Sequence, residues 1–406
     1  MRPVIRHMRP DEMDAFAAVL ELSAGRHAVR SRVGSNGDVD ASRALGAFAG
    51  SRLVGGTGWV PIELTVPGGA IAEAAKITLT ALLPTHRQQG LASEFMRRQL
   101  SDLQQSGISL AVLTTAQSGV PARHGFGAAT FAAGLDITPG RVGADSDETA
   151  SLGLVSIDEA SEVLPAIYDE HRLRQPGQVS RSKSFWSRWF LDDPFLRIGT
   201  GDRFFLLARD AHDRCVGYLT YRLTPGVLRE QPVAELVVED LIALTVDSRL
   251  AIWSYCLGFG QAARVAVWNV PVDDPVRWMR AAQRSVRLNG VREFLRLRIV
   301  DVATALALRR YSIDASFVLD IRDDVLPANH QRFRLTCGPD TAYCEVTGAD
   351  ADLSLDVGSL AAAYLGGVDL TTLAGAGLVT ERTAGTLRQA ELAFSWRPLP
   401  WTVTDW

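Results

Sequence analysis

Lysine is nearly absent from this chain of 406 residues, in which Lys76 and Lys183 are the only two lysines and arginine supplies the other positive charges. The formal net charge of −4 lacks the positive excess that binding to nucleic acid requires. No run of 18 apolar residues occurs, and the amino-terminal stretch has no apolar core of a secretory signal. We therefore expect a cytoplasmic protein that acts without nucleic acid and without a membrane.

Cysteine is also scarce. The four cysteines show no CxxC spacing and lie at Cys215, Cys256, Cys337 and Cys344. Closely spaced cysteines are the usual mark of a structural metal site or a redox motif. We therefore expect free thiols and no metal.

The order of predicted elements divides the chain into three parts. Apolar residues make up 47% of the chain and charged residues 22%, as in ordinary globular proteins, and the length suggests two or three domains. Residues 1–150 predict a run of strands followed by strand, turn, helix and strand. Residues 151–290 repeat this order, and residues 291–406 predict a helix–sheet–helix module. The fold class is α/β (α+β).

The stretch Ile77–Arg98 contains the most informative local pattern. Its apolar first part predicts a buried strand closed by Pro84, and its second part predicts a helix. A strand that leads through a tight turn into a helix start favours anion binding, because the first backbone N–H groups lack partners within the helix. Gly90 would let a phosphate approach closely, and Arg87 adds positive charge.

A second copy of this pattern follows in residues 231–260. Its turn is Val246–Leu250, which has no glycine and contains Asp247. An aspartate repels a diphosphate, and without glycine the backbone cannot approach one closely. We therefore expect a degenerate second domain that does not bind a diphosphate at this turn.

These features resemble the GNAT superfamily of N-acyltransferases, whose phosphate loop is Gln/Arg-x-x-Gly-x-Gly/Ala. The matching residues are Arg87, Gly90 and Ala92. Two GNAT-like domains followed by a sterol-carrier-like domain resemble the enhanced intracellular survival (Eis) family of acetyltransferases. The segments PTHRQQGL at 84–91 and ARHGFGAAT at 122–130 are similar to segments of that family at the same separation.

The resemblance implies a cofactor, a substrate class and an assembly. It implies that acetyl-CoA binds the first domain and that its acetyl group passes to a primary amine of a small cationic molecule, such as an aminoglycoside or a polyamine. It also implies a homo-oligomer, a hexamer in the family. The residues implied to hold the pantetheine arm and the diphosphate are Thr80, Leu82, Arg87, Gln88, Gly90 and Leu91.

The resemblance further implies that the base is the C-terminal carboxylate, here that of Trp406, brought from the third domain to the active site of the first. The aromatic, apolar end of the chain fits this role. The alternative is a tail that packs its tryptophans on the surface of its own domain. Three carboxylates of the second domain, Glu235, Glu239 and Asp240, are candidates to line a cleft for a cationic amine.

One position departs from the family. The general-acid tyrosine of the family aligns with Pro121, and no tyrosine precedes Tyr168. The thiolate then leaves unassisted or through water, or His124, Ser118 or Gln117 supplies the proton. Other interpretations are a biosynthetic acyltransferase for one metabolite, an enzyme with a different acyl donor, and a protein that binds CoA or a ligand without turnover.

Overall fold

The computed structural model describes residues 2–25, 39–78, 80–114, 119–140, 150–192, 200–228, 231–282 and 285–405. The chain forms two compact units. The first comprises the chain up to Thr130 together with Phe294–Arg397, and the second comprises Phe131–Glu293 together with Pro398–Asp405. Within the described ranges, no helix has the length and apolar character needed to span a membrane.

The amino-terminal part of the first unit is a sheet covered by amphipathic helices. Helix α1 buries Phe16, Val19 and Leu20 at helical spacing, and helix α2 buries Phe95 and Leu100 in the same way. The strands are β1 (Val4–His7), β2 (Ala44–Ala49), β3 (Arg52–Thr65), β4 (Ile71–Ile77), β5 (Ala81–Leu82), β6 (Leu110–Thr114) and β7 (Gly127–Ala128), and the helices are α1 (Met13–Ser23), α2 (Leu91–Gln105) and α3 (Gly119–Arg123).

The second unit repeats this plan. A meander of antiparallel strands leads into a strand–helix–strand crossover whose helix packs in the core through Ile252 and Trp253. Its strands are β8 (Phe131–Ile137), β9 (Ser151–Val155), β10 (Arg203–Arg209), β11 (Cys215–Leu228), β12 (Gln231–Ala243), β13 (Ala262–Val270) and β14 (Val286–Glu293), and its helices are α4 (Ile157–Arg172), α5 (Lys183–Leu191) and α6 (Val246–Leu257).

The chain then returns to the first unit through β15 (Leu295–Ile299). A five-stranded sheet with four helices follows, in the strand order β18-β17-β16-β19-β20. Its elements are α7 (Val302–Leu308), β16 (Ala315–Arg322), β17 (Arg332–Cys337), β18 (Ala342–Val346), β19 (Leu353–Asp356), α8 (Val357–Ala363), α9 (Leu370–Gly375), β20 (Val379–Glu381) and α10 (Thr386–Phe394).

Strand β8, from the predicted first domain, joins the second sheet, and strand β15, from the predicted third domain, joins the first sheet. The first sheet has the order β1-β2-β3-β4-β6-β15-β7, with β5 beside β3, and the second has the order β14-β8-β13-β12-β11-β10-β9. Strand β15 thus lies between β6 and β7, and β8 lies between β13 and β14. The predicted division into 1–150, 151–290 and 291–406 stays a prediction, and the chain passes between the sheets after Thr130 and after Glu293.

Candidate active site

The candidate site begins where strand β4 stops pairing with strand β6. Strands β4 and β6 are parallel, but their pairing covers three residues and stops at Lys76 opposite Val112. Strand β6 continues to Thr114. On the other side the chain continues into β5, which pairs with β3. The strands therefore part, and among the described residues no strand pairs with their facing edges beyond this point.

Strands β4 and β5 pair with β3 in registers that differ by one residue. The register along β3 shifts between the pair Trp59–Ile77 and the pair Gly56–Ala81. A shift by one residue turns the side chains that follow to the other face. The prediction of one buried strand from Ile77 to Pro84 was therefore wrong, because the pattern of this run does not show where the register changes.

The turn before α2 offers an open anion site. Gln88 and Gly90 both adopt the left-handed backbone conformation, with φ of 63° and 78°. Gly90 is the residue before α2, so no side chain caps the first turn, which starts at Leu91. A Cβ at Gly90 would meet no atom within 4 Å. Amides in such a turn can surround an anion, and the helix dipole favours negative charge there.

Arg87 lies beside this turn and is exposed. Its Nη2 donates to the carbonyl oxygen of Ser23 at 2.7 Å, and its Nε lies 3.4 Å from the carbonyl oxygen of Leu82. Both contacts are to neutral carbonyl groups, so the positive charge of Arg87 remains available to an anion. The contact with Ser23 also fastens the turn to the end of α1.

Thr80 and Leu82 are fastened to β3 on one side. The Thr80 hydroxyl donates to Thr57 Oγ1 at 3.2 Å, and Leu82 pairs with Gly55. A Cβ at Gly55 would come within 2.4 Å of Leu82 Cδ2, so glycine is needed for this approach. Among the described residues, no strand pairs with the other edge of β5. Backbone pairing of Thr80 and Leu82 with a pantetheine arm stays a prediction.

His124 lies in a tightly held segment after α3. Its side chain is 3% exposed, and its backbone N–H donates to the carbonyl oxygen of Pro121 at 2.9 Å. A Cβ at Gly125 would lie 3.1 Å from Cζ of Arg298, which forms a buried ion pair with Asp323 across 2.6 Å. The sequence does not indicate this pair, because two residues 25 positions apart form no recognisable pattern.

The corresponding helix start in the second unit is closed. Thr245 precedes α6, its side chain accepts from the N–H of Ser248, and the Ser248 side chain accepts from the N–H of Thr245. This capping box satisfies the N–H groups that would otherwise bind an anion. Asp247 adds negative charge in the first turn. The two helix starts therefore differ in the backbone groups that they offer to a diphosphate.

The three carboxylates proposed to attract a cation are already paired. Asp240 contacts Nη1 of Arg181 at 2.6 Å and is 4% exposed. Glu239 contacts Nε of both Arg203 and Arg222, and Glu235 contacts Nη1 of Arg264 at 3.0 Å. Arginines of the same unit therefore compensate the charge of these acids, and the expectation that they line a cleft for an amine stays a prediction.

The carboxyl-terminal segment Pro398–Asp405 belongs to the second unit. Trp401 and Thr404 are buried, at 2% and 0% exposure, whereas Asp405 is exposed. The segment therefore packs within the second unit. Trp406, predicted to supply the base, lies outside the described residues.

Comparison with protein families assigns each part of the chain. Residues 4–129 and residues 177–299 match two families that are each described as an acetyltransferase (GNAT) domain, and residues 302–403 match the family of the sterol carrier protein domain. The predicted fold class, with two GNAT-like domains before a sterol-carrier-like domain, is confirmed.

Relatives extend this assignment over the whole chain. An uncharacterized N-acetyltransferase of Streptomyces coelicolor is 35% identical over 86% of this chain and 84% of its own length. The N-acetyltransferase Eis of Mycobacterium tuberculosis is 30% identical over 86% of this chain and 85% of its own. The crystal structure of Eis1 from Mycobacterium abscessus superimposes with a TM-score of 0.84 at 28% identity and covers 99% of this chain and 100% of that one.

These matches confirm the resemblance seen in the two sequence segments. They also assign the activity class, because GNAT domains and relatives named N-acetyltransferase identify an acyltransferase. The chain belongs to the Eis family of GNAT N-acetyltransferases.

Proposed function

We propose that the chain transfers the acetyl group of acetyl-CoA to a primary amine of a small cationic molecule. The observation that carries the proposal is the open helix start at Gly90, which the chain reaches through β5 directly after β4 and β6 part. Its counterpart at Thr245 is closed by its own side chains. The first unit therefore holds the single acetyl-CoA site of the duplicated architecture.

The diphosphate of CoA binds at the start of α2. Its negative charge meets the first-turn amides from Leu91 onward and the guanidinium of Arg87, and the left-handed turn at Gln88 and Gly90 brings the backbone close. The pantetheine arm runs along the free edge of β5. Its amide groups replace the missing strand and pair with the backbone near Thr80 and Leu82.

The transfer is a direct attack of the amine on the thioester. The amine must first lose a proton, and the carboxylate of Trp406 accepts that proton as the base. The nitrogen lone pair then attacks the carbonyl carbon, the C–N bond forms, and the C–S bond breaks with its electron pair on sulfur. The nitrogen then loses its second proton, which water passes to the CoA thiolate, and the products are an N-acetyl amine and CoA with a free thiol.

The thiolate requires no strong acid. A free thiol has a pKa only modestly above neutral, so the thiolate is a tolerable leaving group that water can protonate. His124 is the side chain proposed to assist, although its 3% exposure limits its reach to sulfur. Pro121 carries no proton for this purpose, and its carbonyl oxygen accepts from the N–H of His124 and of Phe126.

The nature of the acceptor and the assembly follow from the family resemblance. We assign the acceptor to the aminoglycoside-like or polyamine-like amines and the assembly to a cytoplasmic homo-hexamer. Acceptors are ranked by thiol release from acetyl-CoA across a panel of polyamines and aminoglycosides, and light scattering measures the mass. A panel with no thiol release, combined with calorimetric binding of CoA, would indicate a binding protein without turnover.

The base is tested by moving the carboxylate without altering any side chain. Extension of the chain by Gly-Gly after Trp406 displaces the terminal carboxylate by about 7 Å. We expect a loss of about 100-fold or more in kcat, the usual contribution of a positioned base. Trp406→Phe keeps the carboxylate and serves as the matched control. Full activity of the extended chain would refute the C-terminal base.

A further inference from the structure

We propose that the second unit has become a receptor for the chain's own segment Pro398–Asp405, which occupies the place where the first unit receives its acyl carrier. The second unit thereby positions the carboxyl group that follows. The docking of the segment stands on the structure of this unit alone, whereas its catalytic consequence rests on the proposed function.

The segment lies where the strands of the second sheet part. The parallel pairing of β12 and β13 ends at Val238 opposite Val267, although both strands continue. Asp240 and Asn269 are each two residues beyond this last pair. In the first unit the same divergence follows Lys76 and Val112, next to the proposed pantetheine site. The two gaps are therefore equivalent in the repeat.

Asn269 binds the segment from β13. Its Oδ1 accepts a hydrogen bond from Nε1 of Trp401 at 2.7 Å, and its Nδ2 donates to the carbonyl oxygen of Thr402 at 2.9 Å. The N–H of Trp401 in turn donates to the carbonyl oxygen of Pro176 at 2.9 Å. A side-chain amide with both of its ends engaged fixes the register of the segment.

Asp240 holds the segment from β12 through Arg181. The carboxylate accepts from Nη1 of Arg181 at 2.6 Å, and Nε of Arg181 donates to the hydroxyl of Thr404 at 2.9 Å. The hydroxyl of Tyr168 lies 2.9 Å from the same Thr404 oxygen and donates to the carbonyl oxygen of Val179 at 2.6 Å. This charge-assisted network is buried, so water cannot replace its contacts.

The apolar side chains of the segment complete a core. Trp401 and Val403 belong to the same buried cluster as Ile242 of β12 and Tyr218 of β11. The alternation of these residues with Thr402 and Thr404 is that of an extended chain with one apolar face. The segment therefore fills the gap as a structural part of the unit and excludes an external acyl carrier from it.

This placement limits where the end of the chain can go. Trp406 follows Thr404 by two residues, so the extended backbone cannot carry its carboxylate farther than roughly 10 Å from Thr404. A base on a free tail would sample many positions, and each misplaced position lowers the rate. Arg181, Asp240 and Asn269 are accordingly positioning residues, since they act through the segment.

The test removes one hydroxyl from the full-length protein. Thr404→Val is nearly isosteric and abolishes the contacts with Arg181 and Tyr168, whereas Thr404→Ser retains a hydroxyl as the matched control. Carboxypeptidase digestion is followed by mass spectrometry. In the wild type we expect the enzyme to remove Trp406 and Asp405 and then to slow sharply, so that Thr404 is retained. In the valine variant, release of the residue at position 404 and of those before it should be about tenfold faster than in the wild type, the factor that corresponds to 1.4 kcal/mol.

Acetyl transfer is measured on the same preparations. We expect kcat to fall in Thr404→Val while KM for acetyl-CoA stays unchanged, because the acetyl-CoA site belongs to the first unit, and we expect Thr404→Ser to recover kcat. Asn269→Leu, which removes both bonds from β13, is the second variant if the valine protein does not fold.

The outcomes separate the two ideas. Release of the segment together with a lower kcat supports both. Release with unchanged kcat supports the receptor and refutes the C-terminal base. Digestion that stops at the same residue in the wild type, in Thr404→Val and in Asn269→Leu overturns the receptor.

Discussion

The indole of Trp401 donates a hydrogen bond to Asn269 across 2.7 Å, which joins the carboxyl-terminal segment to strand β13. Trp401 is 2% exposed, and its removal leaves a large cavity. We expect Trp401→Ala to lower the free energy of unfolding of the second unit by about 3–5 kcal/mol. Urea denaturation measures this change. Trp278, which is 83% exposed, provides the control, and Trp278→Ala should stay within about 0.5 kcal/mol of the wild type.

Helix α2 is flanked by two glycines in the left-handed backbone conformation. Substitutions at the two positions can be compared to separate the cost of backbone strain from the effect on cofactor binding. Gly90 and Gly107 have φ of 78° and 75°, and a Cβ at either position would meet no atom within 4 Å. An alanine at either position costs about 1–2 kcal/mol of stability. We expect only Gly90→Ala to raise KM for acetyl-CoA, by about tenfold, which corresponds to ~1.4 kcal/mol of binding. Equal KM values for the two variants would contradict the proposed diphosphate site.

His171 makes the second unit sensitive to acid. Burial lowers the pKa of this histidine to about 3, with further contributions from Arg249 and Arg174, and its ring packs edge-to-face on Trp401 at 6.1 Å. The unfolded chain titrates near 6.5, so protons bind preferentially to the unfolded state below that pH. The stabilisation is fully present above pH 6.5 and is lost as the pH falls towards 3.

We therefore expect the free energy of unfolding of the wild type to fall by about 1.4 kcal/mol for each pH unit below 6.5. The variant His171→Gln should not show this fall. Urea denaturation at pH 7.5, 6.5 and 5.5 gives both slopes. Parallel slopes for the two proteins would show that His171 is not held neutral.

Substitution of His124 tests whether this side chain protonates the CoA thiolate. A positioned general acid contributes about 10²–10⁴ to the rate. Because the side chain is 3% exposed and water can protonate the thiolate, we expect His124→Gln to lower kcat by less than about tenfold and to leave the pH profile unchanged. A larger loss, together with the disappearance of a limb near pH 6–7, would assign the acid to His124.

The sequence predicted the elements that local patterns specify. The second part of the stretch Ile77–Arg98 was predicted to be a helix, which the structure shows as α2. The repeat of this pattern in residues 231–260, which ends in α6, was also predicted correctly. In these cases the apolar spacing and the turn residues lie within one short window.

Features that depend on distant partners were not predicted. The register shift after Ile77 lies within a largely apolar run in which either register buries similar side chains. Trp401 and Val403 alternate with threonines, which indicates an extended segment, but this alternation does not identify β13 as its partner. The ion pair of Arg298 and Asp323 and the exchange of β8 and β15 likewise join residues far apart in sequence.

The exchange of strands sets the time at which the first sheet can close during synthesis. Strand β6 pairs with β15, and β15 begins at Leu295, so the sheet lacks an inner strand when β7 has just been made. At about 5–20 residues per second, the ribosome needs roughly ten to thirty seconds to supply it. Throughout this interval the edge of β6 stays open to non-native pairing. The nascent chain must therefore be protected until nearly three quarters of it has emerged.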